Sequence, residues 1–199
     1  PGGTFGGKWQ PSDSANWLGP TIKINKKNYG FVFTNAANQS VTDPLAENML
    51  VYQRAIGGWP KAVNEIKVDY KKRLTDAEKK SIRSDSMHID ATIDNDATTR
   101  EIRYLVKAYE QTHNYDYLRA AEKGIRYYLK AQNAAGGWPQ FYPDSSLYRS
   151  QITYNDNAMV NVLNVLQDIV EGKNGFDVVD ASFIPLSAEA VRRGIECIL

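Results

Sequence analysis

Gly57-Gly58-Trp59-Pro60-Lys61 recurs as Gly136-Gly137-Trp138-Pro139-Gln140. Thr92-Ile93-Asp94-Asn95-Asp96-Ala97 recurs as Thr153-Tyr154-Asn155-Asp156-Asn157-Ala158, and Lys123-Gly124-Ile125-Arg126-Tyr127-Tyr128-Leu129 as Arg193-Gly194-Ile195-Glu196-Cys197-Ile198-Leu199. Each Gly-Trp-Pro block follows a helical pattern containing a glutamine, and each Asp/Asn block precedes another helical pattern. Self-similarity in a fixed order means stacked supersecondary units that bury their apolar faces against one another. The unit here is a helix pair, so the sequence predicts an all-α fold: an α/α toroid of repeated helix pairs with long loops gathered at one end to form a cleft. Asp94 and Asp156, distant in the chain, are then expected to converge on that cleft. The last block stops inside its helix at Leu199. An incomplete ring is therefore expected, closed by the remainder of the polypeptide or by a second chain.

The apolar spacing supports this reading. Thr98, Ile102, Leu105, Val106 and Tyr109 lie on one helical face. Leu118, Ala121, Ile125, Tyr128, Leu129 and Gln132 mark a second face, Met159, Val162, Leu163, Leu166 and Val170 a third, and Val191, Ile195 and Ile198 a fourth. Asp43-Pro44 reads as an N-cap followed by proline at the first helical position, opening a helix toward Gly57. Residues 1–43 read as an irregular N-terminal leader with one short strand around Tyr29, Phe31 and Phe33, and 44–199 as the toroid portion. The charged stretch 62–91 predicts a solvated loop with a short helix, and 133–156 and 172–186 predict long surface loops.

Composition narrows the function. The 199 residues carry 24 Lys+Arg against 23 Asp+Glu, for a net charge of +1, and 42% are hydrophobic. A disordered tail and a phosphate-neutralising polycation are both excluded, so no nucleic acid partner is expected. No apolar run approaches the roughly 20 residues of a membrane span. Cys197 is the only cysteine, which removes any intrachain disulfide and any cysteine-rich metal site. The 12 Tyr and 4 Trp outnumber the 6 Phe, a balance that suits sugar-binding clefts and wet interfaces as well as cores whose ring tips reach water.

Asp94-Asn95-Asp96 and Asn155-Asp156-Asn157 each concentrate a carboxylate and side-chain amides just before a helix. Two roles suit them: capping the free N–H groups of the helix, or supplying hard oxygen ligands to Ca²⁺. Their recurrence at equivalent positions favours the cation. An EF-hand does not fit, because Thr99 stands where its glycine is required and Leu105 where its bidentate glutamate belongs. His88 and His113 lie in no metal-spaced cluster. Trp59 and Trp138, held between Gly-Gly and Pro, suit either a stacking wall for a sugar ring or a plug beneath the rim. Lys61, Arg100 and Arg149 lie in or beside these loops, where cations can meet an acidic polymer.

In order and approximate spacing, Gly-Gly-Trp-Pro-Lys (57–61), Thr-Ile-Asp-Asn-Asp-Ala-Thr (92–98), Gly-Gly-Trp-Pro-Gln-Phe-Tyr-Pro (136–143) and Thr-Tyr-Asn-Asp-Asn-Ala-Met (153–159) resemble the pectate lyases of polysaccharide lyase family 10. The likeness runs from about residue 48 to 199. It implies an α/α toroid that cleaves polygalacturonate by β-elimination with Ca²⁺, and a secreted, periplasmic or cell-surface location. It also implies that Asp94, Asn95 and Asp156 surround the calcium and the substrate carboxylate. Asn157, Asp96, Trp59, Lys61, Trp138 and Arg149 complete the candidate substrate contacts. Two departures stand out. Asp96 occupies the place where the family commonly has glycine, and the family's arginine base is expected beyond Leu199, so no catalytic residue is assigned within the chain. Alternative readings are an inverting glycoside hydrolase using two of Asp94, Asp96 and Asp156, and a non-catalytic acidic-polysaccharide-binding protein.

Overall fold

The computed structural model describes residues 41–199 and, N-terminal to them, two strands; the chain divides into units at 1–40 and 41–199. In the first unit β1 (Thr21–Ile24) and β2 (Phe31–Thr34) pair antiparallel, with Thr21 opposite Thr34 and Ile24 opposite Phe31. The strand expected around Phe31 and Phe33 is β2. Tyr29 and most of the predicted irregular leader lie outside the described residues.

The second unit is helical. In α1 (Pro44–Tyr52) the Asp43 carboxylate accepts the N–H groups of Leu45 and Ala46, as the Asp-Pro pair predicts. The helix stops short of Gly57: Gln53 turns to extended backbone (φ −62°, ψ 127°), and its side chain donates to the carbonyls of Gly57 and Ala120, both at 2.8 Å. The charged stretch that follows holds a two-residue hairpin, β3 (Ala62–Val63) with β4 (Ile66–Lys67), and α2 (Asp76–Ser84). No residue of α2 is buried; its start is secured by reciprocal bonds between Thr75 and Glu78.

Two helical hairpins complete the unit: α3 (Thr99–Thr112) with α4 (Tyr115–Ala131), and α5 (Ala158–Glu171) with α6 (Phe183–Ile198). Laterally α1 adjoins α4 and α4 adjoins α6, while α3 adjoins α5. These are the two layers of an α/α toroid segment. Ile102, Leu105 and Val106 of α3, Leu118, Ala121, Ile125 and Tyr128 of α4, and Met159, Val162 and Leu166 of α5 are buried between them, on the faces that periodicity predicts. Among the described residues no helix is long and apolar enough to cross a membrane.

Two expectations are corrected. On α6 the buried face is Phe183, Ser187, Ala190, Val191 and Gly194, while Ile195 and Ile198 are 47% and 46% exposed. Close approach decides this: a Cβ on Gly194 would stand 2.6 Å from Leu163 Cδ2 and 2.8 Å from the Trp138 ring, so small residues turn inward. The expected surface loop at 133–156 is also partly interior, since Gly136, Gly137, Trp138 and Pro139 are buried.

Candidate functional site

Each Gly-Trp-Pro loop presses its backbone onto the next helix of its layer. Gly57 (φ +110°) and Gly136 (φ +93°) use a conformation that favours glycine, and a Cβ there would lie 2.3 Å from the carbonyl oxygen of Lys123 or Arg193. The tryptophan that follows is wholly buried in both loops. Trp59 Nε1 donates to Met49 O and Trp138 Nε1 to Tyr128 O, both at 2.8 Å. The sequence offers both rings as candidate substrate contacts. With the indole N–H satisfied by a helix carbonyl and no surface exposed, each is instead the plug beneath the rim.

Above these plugs the loops are stitched together by backbone bonds. Thr92 N–H donates to Trp59 O (3.0 Å) and Thr153 N–H to Trp138 O (3.1 Å), so each loop pairs with the segment entering an acidic turn. The two repeats join where Ile93 N–H donates to Gln140 O (3.1 Å) and Tyr142 N–H to Ala91 O (3.2 Å). As a result the turns Asp94–Asp96 and Asn155–Asn157 adjoin, with Cα atoms within 8 Å of each other. Asp94 and Asp156 therefore belong to one end of the toroid segment.

The turns owe their composition to a third cause that sequence reasoning missed. Asn95 (φ 50°), Asp96 (φ 61°), Asp156 (φ 49°) and Asn157 (φ 56°) all occupy the left-handed region, which Asn and Asp tolerate better than other side-chain-bearing residues. The capping alternative finds no support, because neither Thr98 before α3 nor Asn157 before α5 makes a side-chain capping bond.

The side chains of the first turn are engaged. Asp94 is 4% exposed and forms an ion pair with Lys61 Nζ. Asp96 Oδ1 accepts Asn161 Nδ2 of α5 at 2.7 Å, which gives the added carboxylate a partner beside the second turn. Lys61 Nζ also lies 5.7 Å from the centre of the Phe141 ring, and the Arg149 guanidinium lies 4.9 Å from it. Lys61 and Arg149, separate in sequence, thus meet at Phe141. Asp144 Oδ2 accepts Arg149 Nη1 at 2.5 Å. The Ser146 N–H and the Arg149 guanidinium together hold its carboxyl down at about 2. Phe141 and Asp144 went unnoticed in the sequence, although Phe141 directly follows the second Gly-Trp-Pro-Gln block. In the second turn Asn155, Asp156 and Asn157 are exposed, and Asp156 has no hydrogen bond or ion pair among the described residues. Arg100 turns elsewhere: it binds the buried Glu101 at 2.5 Å and stacks on Tyr70 at 5.3 Å.

Asp94, Asp156 and Asn95 offer only oxygen donors suited to a hard divalent ion. Among the described residues no group of three or more His, Cys, Asp or Glu converges. The protein donors therefore suit calcium in kind, and the roughly six to eight oxygens it prefers require substrate carboxylates and water as well.

The chain is similar to the family 10 polysaccharide lyase from Cellvibrio cellulosa (TM-score 0.64, 28% identity), covering 79% of this chain and 46% of that one. It is equally similar to a mutant of that lyase in complex with trigalacturonic acid (TM-score 0.66, 28% identity, the same coverage). The chain thus spans less than half the length of these lyases. No curated protein sequence gives a match. Residues 53–199 match the family model for pectic acid lyase, and the chain belongs to that family.

Proposed function

We propose that this chain carries the calcium and substrate-carboxylate side of a pectate lyase cleft, which cleaves polygalacturonate by β-elimination. The observation that carries this reading is the meeting of the two acidic turns beside the Lys61–Phe141–Arg149 cluster, in a chain of the pectic acid lyase family. Asp94, Asn95 and Asp156 would hold the ion. The chemistry calcium supplies there is positive charge opposing the negative charge that builds on the galacturonate carboxylate as C5 loses its proton. Lys61 and Arg149 orient neighbouring carboxylates of the polymer, and Phe141 keeps the two cations together. In the elimination the C5–H pair becomes the C4–C5 double bond, the C4–O bond breaks, and the departing oligosaccharide takes a proton.

The base is not assigned to the arginines of this loop end. Arg149 is committed to Asp144 and Arg100 to Glu101, and the proposal places an arginine base in a part of the lyase that this chain does not span. Closure of the ring by that part, or by a second chain, belongs to the same reading and is supported by the exposed Ile195 and Ile198 on α6. An extracellular, periplasmic or cell-surface location follows from the polymeric substrate.

The test is to incubate the full-length lyase that contains this chain with polygalacturonate and follow ultraviolet absorbance from unsaturated ends, with and without a chelator. Chelator-sensitive absorbance is expected. New reducing ends without absorbance would indicate hydrolysis, and calcium-dependent binding of trigalacturonate without turnover would indicate a binding protein.

A further inference from the structure

We propose that Lys61 is a built-in counter-cation for Asp94 that weakens calcium binding in the absence of galacturonate and so strengthens the dependence of each ligand on the other. The inference rests on the calcium reading above and concerns how that site is regulated. Asp94 is 4% exposed, and a carboxylate removed from water needs a positive charge beside it. Lys61 supplies that charge, its Nζ on Asp94 Oδ2. Asp156 has no such partner among the described residues and stands exposed.

The two partners differ in freedom. The Lys61 side chain is 39% exposed against 5% for Asp94, and its other close neighbour is the face of Phe141. A flexible four-carbon stem lets the ammonium leave Asp94 without disturbing the buried Trp59 plug. A divalent ion approaching the same oxygen meets a like charge at short range, and repulsion there is strong because the site is partly dry. Calcium arriving alone must therefore expel Lys61 into water. Calcium arriving with galacturonate lets the ammonium pass to a substrate carboxylate beside Phe141 and Arg149, so that both carboxylates stay paired. Linkage then requires each ligand to raise the affinity for the other by the same factor.

Calorimetric titration with calcium chloride, with and without saturating trigalacturonate and corrected for calcium taken up by the free sugar, tests this on the wild type, Lys61→Met and Lys61→Arg. For the wild type, trigalacturonate is expected to tighten calcium binding by about fivefold or more. Lys61→Met is expected to bind calcium alone roughly tenfold more tightly, equivalent to about 1.4 kcal/mol, with the sugar-dependent factor reduced but above one, since substrate carboxylates still ligate the ion. Lys61→Arg keeps the charge and should keep most of the factor. Tightening in the absence of sugar is the readout that a purely substrate-binding lysine would not move. Equal or weaker calcium binding by Lys61→Met, with an unchanged sugar factor, overturns the inference and leaves the calcium reading intact. No calcium binding by any of the three proteins overturns both.

Discussion

The acidic turns of the two repeats trace nearly the same backbone and put different charges on it. Ile93 and Tyr154 precede them at (−100°, −1°) and (−108°, 2°), and Asn95 and Asp156 follow at (50°, 44°) and (49°, 34°). Yet the first turn carries two aspartates, Asp94 buried and paired with Lys61 and Asp96 exposed and bonded to Asn161, where the second carries the exposed Asn155 and Asn157. Gln140 stands where Lys61 does after the Trp-Pro pair. Thr98 accepts the Trp59 N–H at 3.0 Å and donates to Thr92 O at 2.9 Å, whereas the second repeat has Met159 at that position. Backbone shape is thus the repeated property, secured by the Gly-Trp-Pro loop and by residues that tolerate positive φ. Charge is the variable one: Asp94 is neutralised by Lys61, whereas Asp156 is open.

The largest expected effects test whether the scaffolds are equivalent. Trp59→Ala and Trp138→Ala should each cost about 3–5 kcal/mol in chemical denaturation, because both rings are wholly buried. A clearly smaller cost at Trp138 would break the equivalence. Thr98→Val keeps the shape but orphans the buried Trp59 N–H, and should cost about 1–3 kcal/mol. Met159→Leu at the matching place should stay under about 1.5 kcal/mol.

The charge difference yields to a paired substitution. Asp94→Asn and Asp156→Asn should both weaken calcium binding measured by calorimetry. Only Asp94→Asn should also lower stability, by about 1 kcal/mol, since it alone removes an ion pair, one half of which is partly exposed. Asp144 adds a pH signature. Its carboxyl lies lower in the folded protein, at about 2, than its ordinary value of 3.8. The resulting stabilisation is fully present above the ordinary value and is lost as pH falls toward 2. The stability difference between wild type and Asp144→Asn should therefore close over that interval and stay constant above it. The smallest effect is expected at the exposed Asn161–Asp96 bond. Asn161→Ala should cost about 0.5 kcal/mol and leave calcium affinity unchanged, and a larger loss would show that this bond helps to hold the turns together.

Much of the fold was legible because repetition is a long-range signal carried in the sequence itself. The glutamines noted ahead of each Gly-Trp-Pro block prove to close their helices identically, Gln132 bonding Gly136 O and Ala190 O at 2.8 Å each, just as Gln53 bonds Gly57 O and Ala120 O. The helix faces of α3, α4 and α5 followed from spacing, since one neighbour on one side suffices to orient a helix. The face of α6 did not. There the isoleucines suggest one orientation, and the close approach allowed by Gly194 selects another.

The candidate site divides in the same way. Sequence alone determined that two Asp/Asn turns recur before helices and that Lys61 and Arg149 lie in the adjoining loops, because those facts are matters of order along the chain. Only the tertiary structure decided that both tryptophans are interior, that Lys61 and Arg149 share Phe141, and that Lys61 neutralises Asp94 while Asp156 stays open. These depend on which loops meet across the end of the helix layers. Contacts of that kind are set by backbone pairing between residues far apart in the chain, for which no local pattern codes.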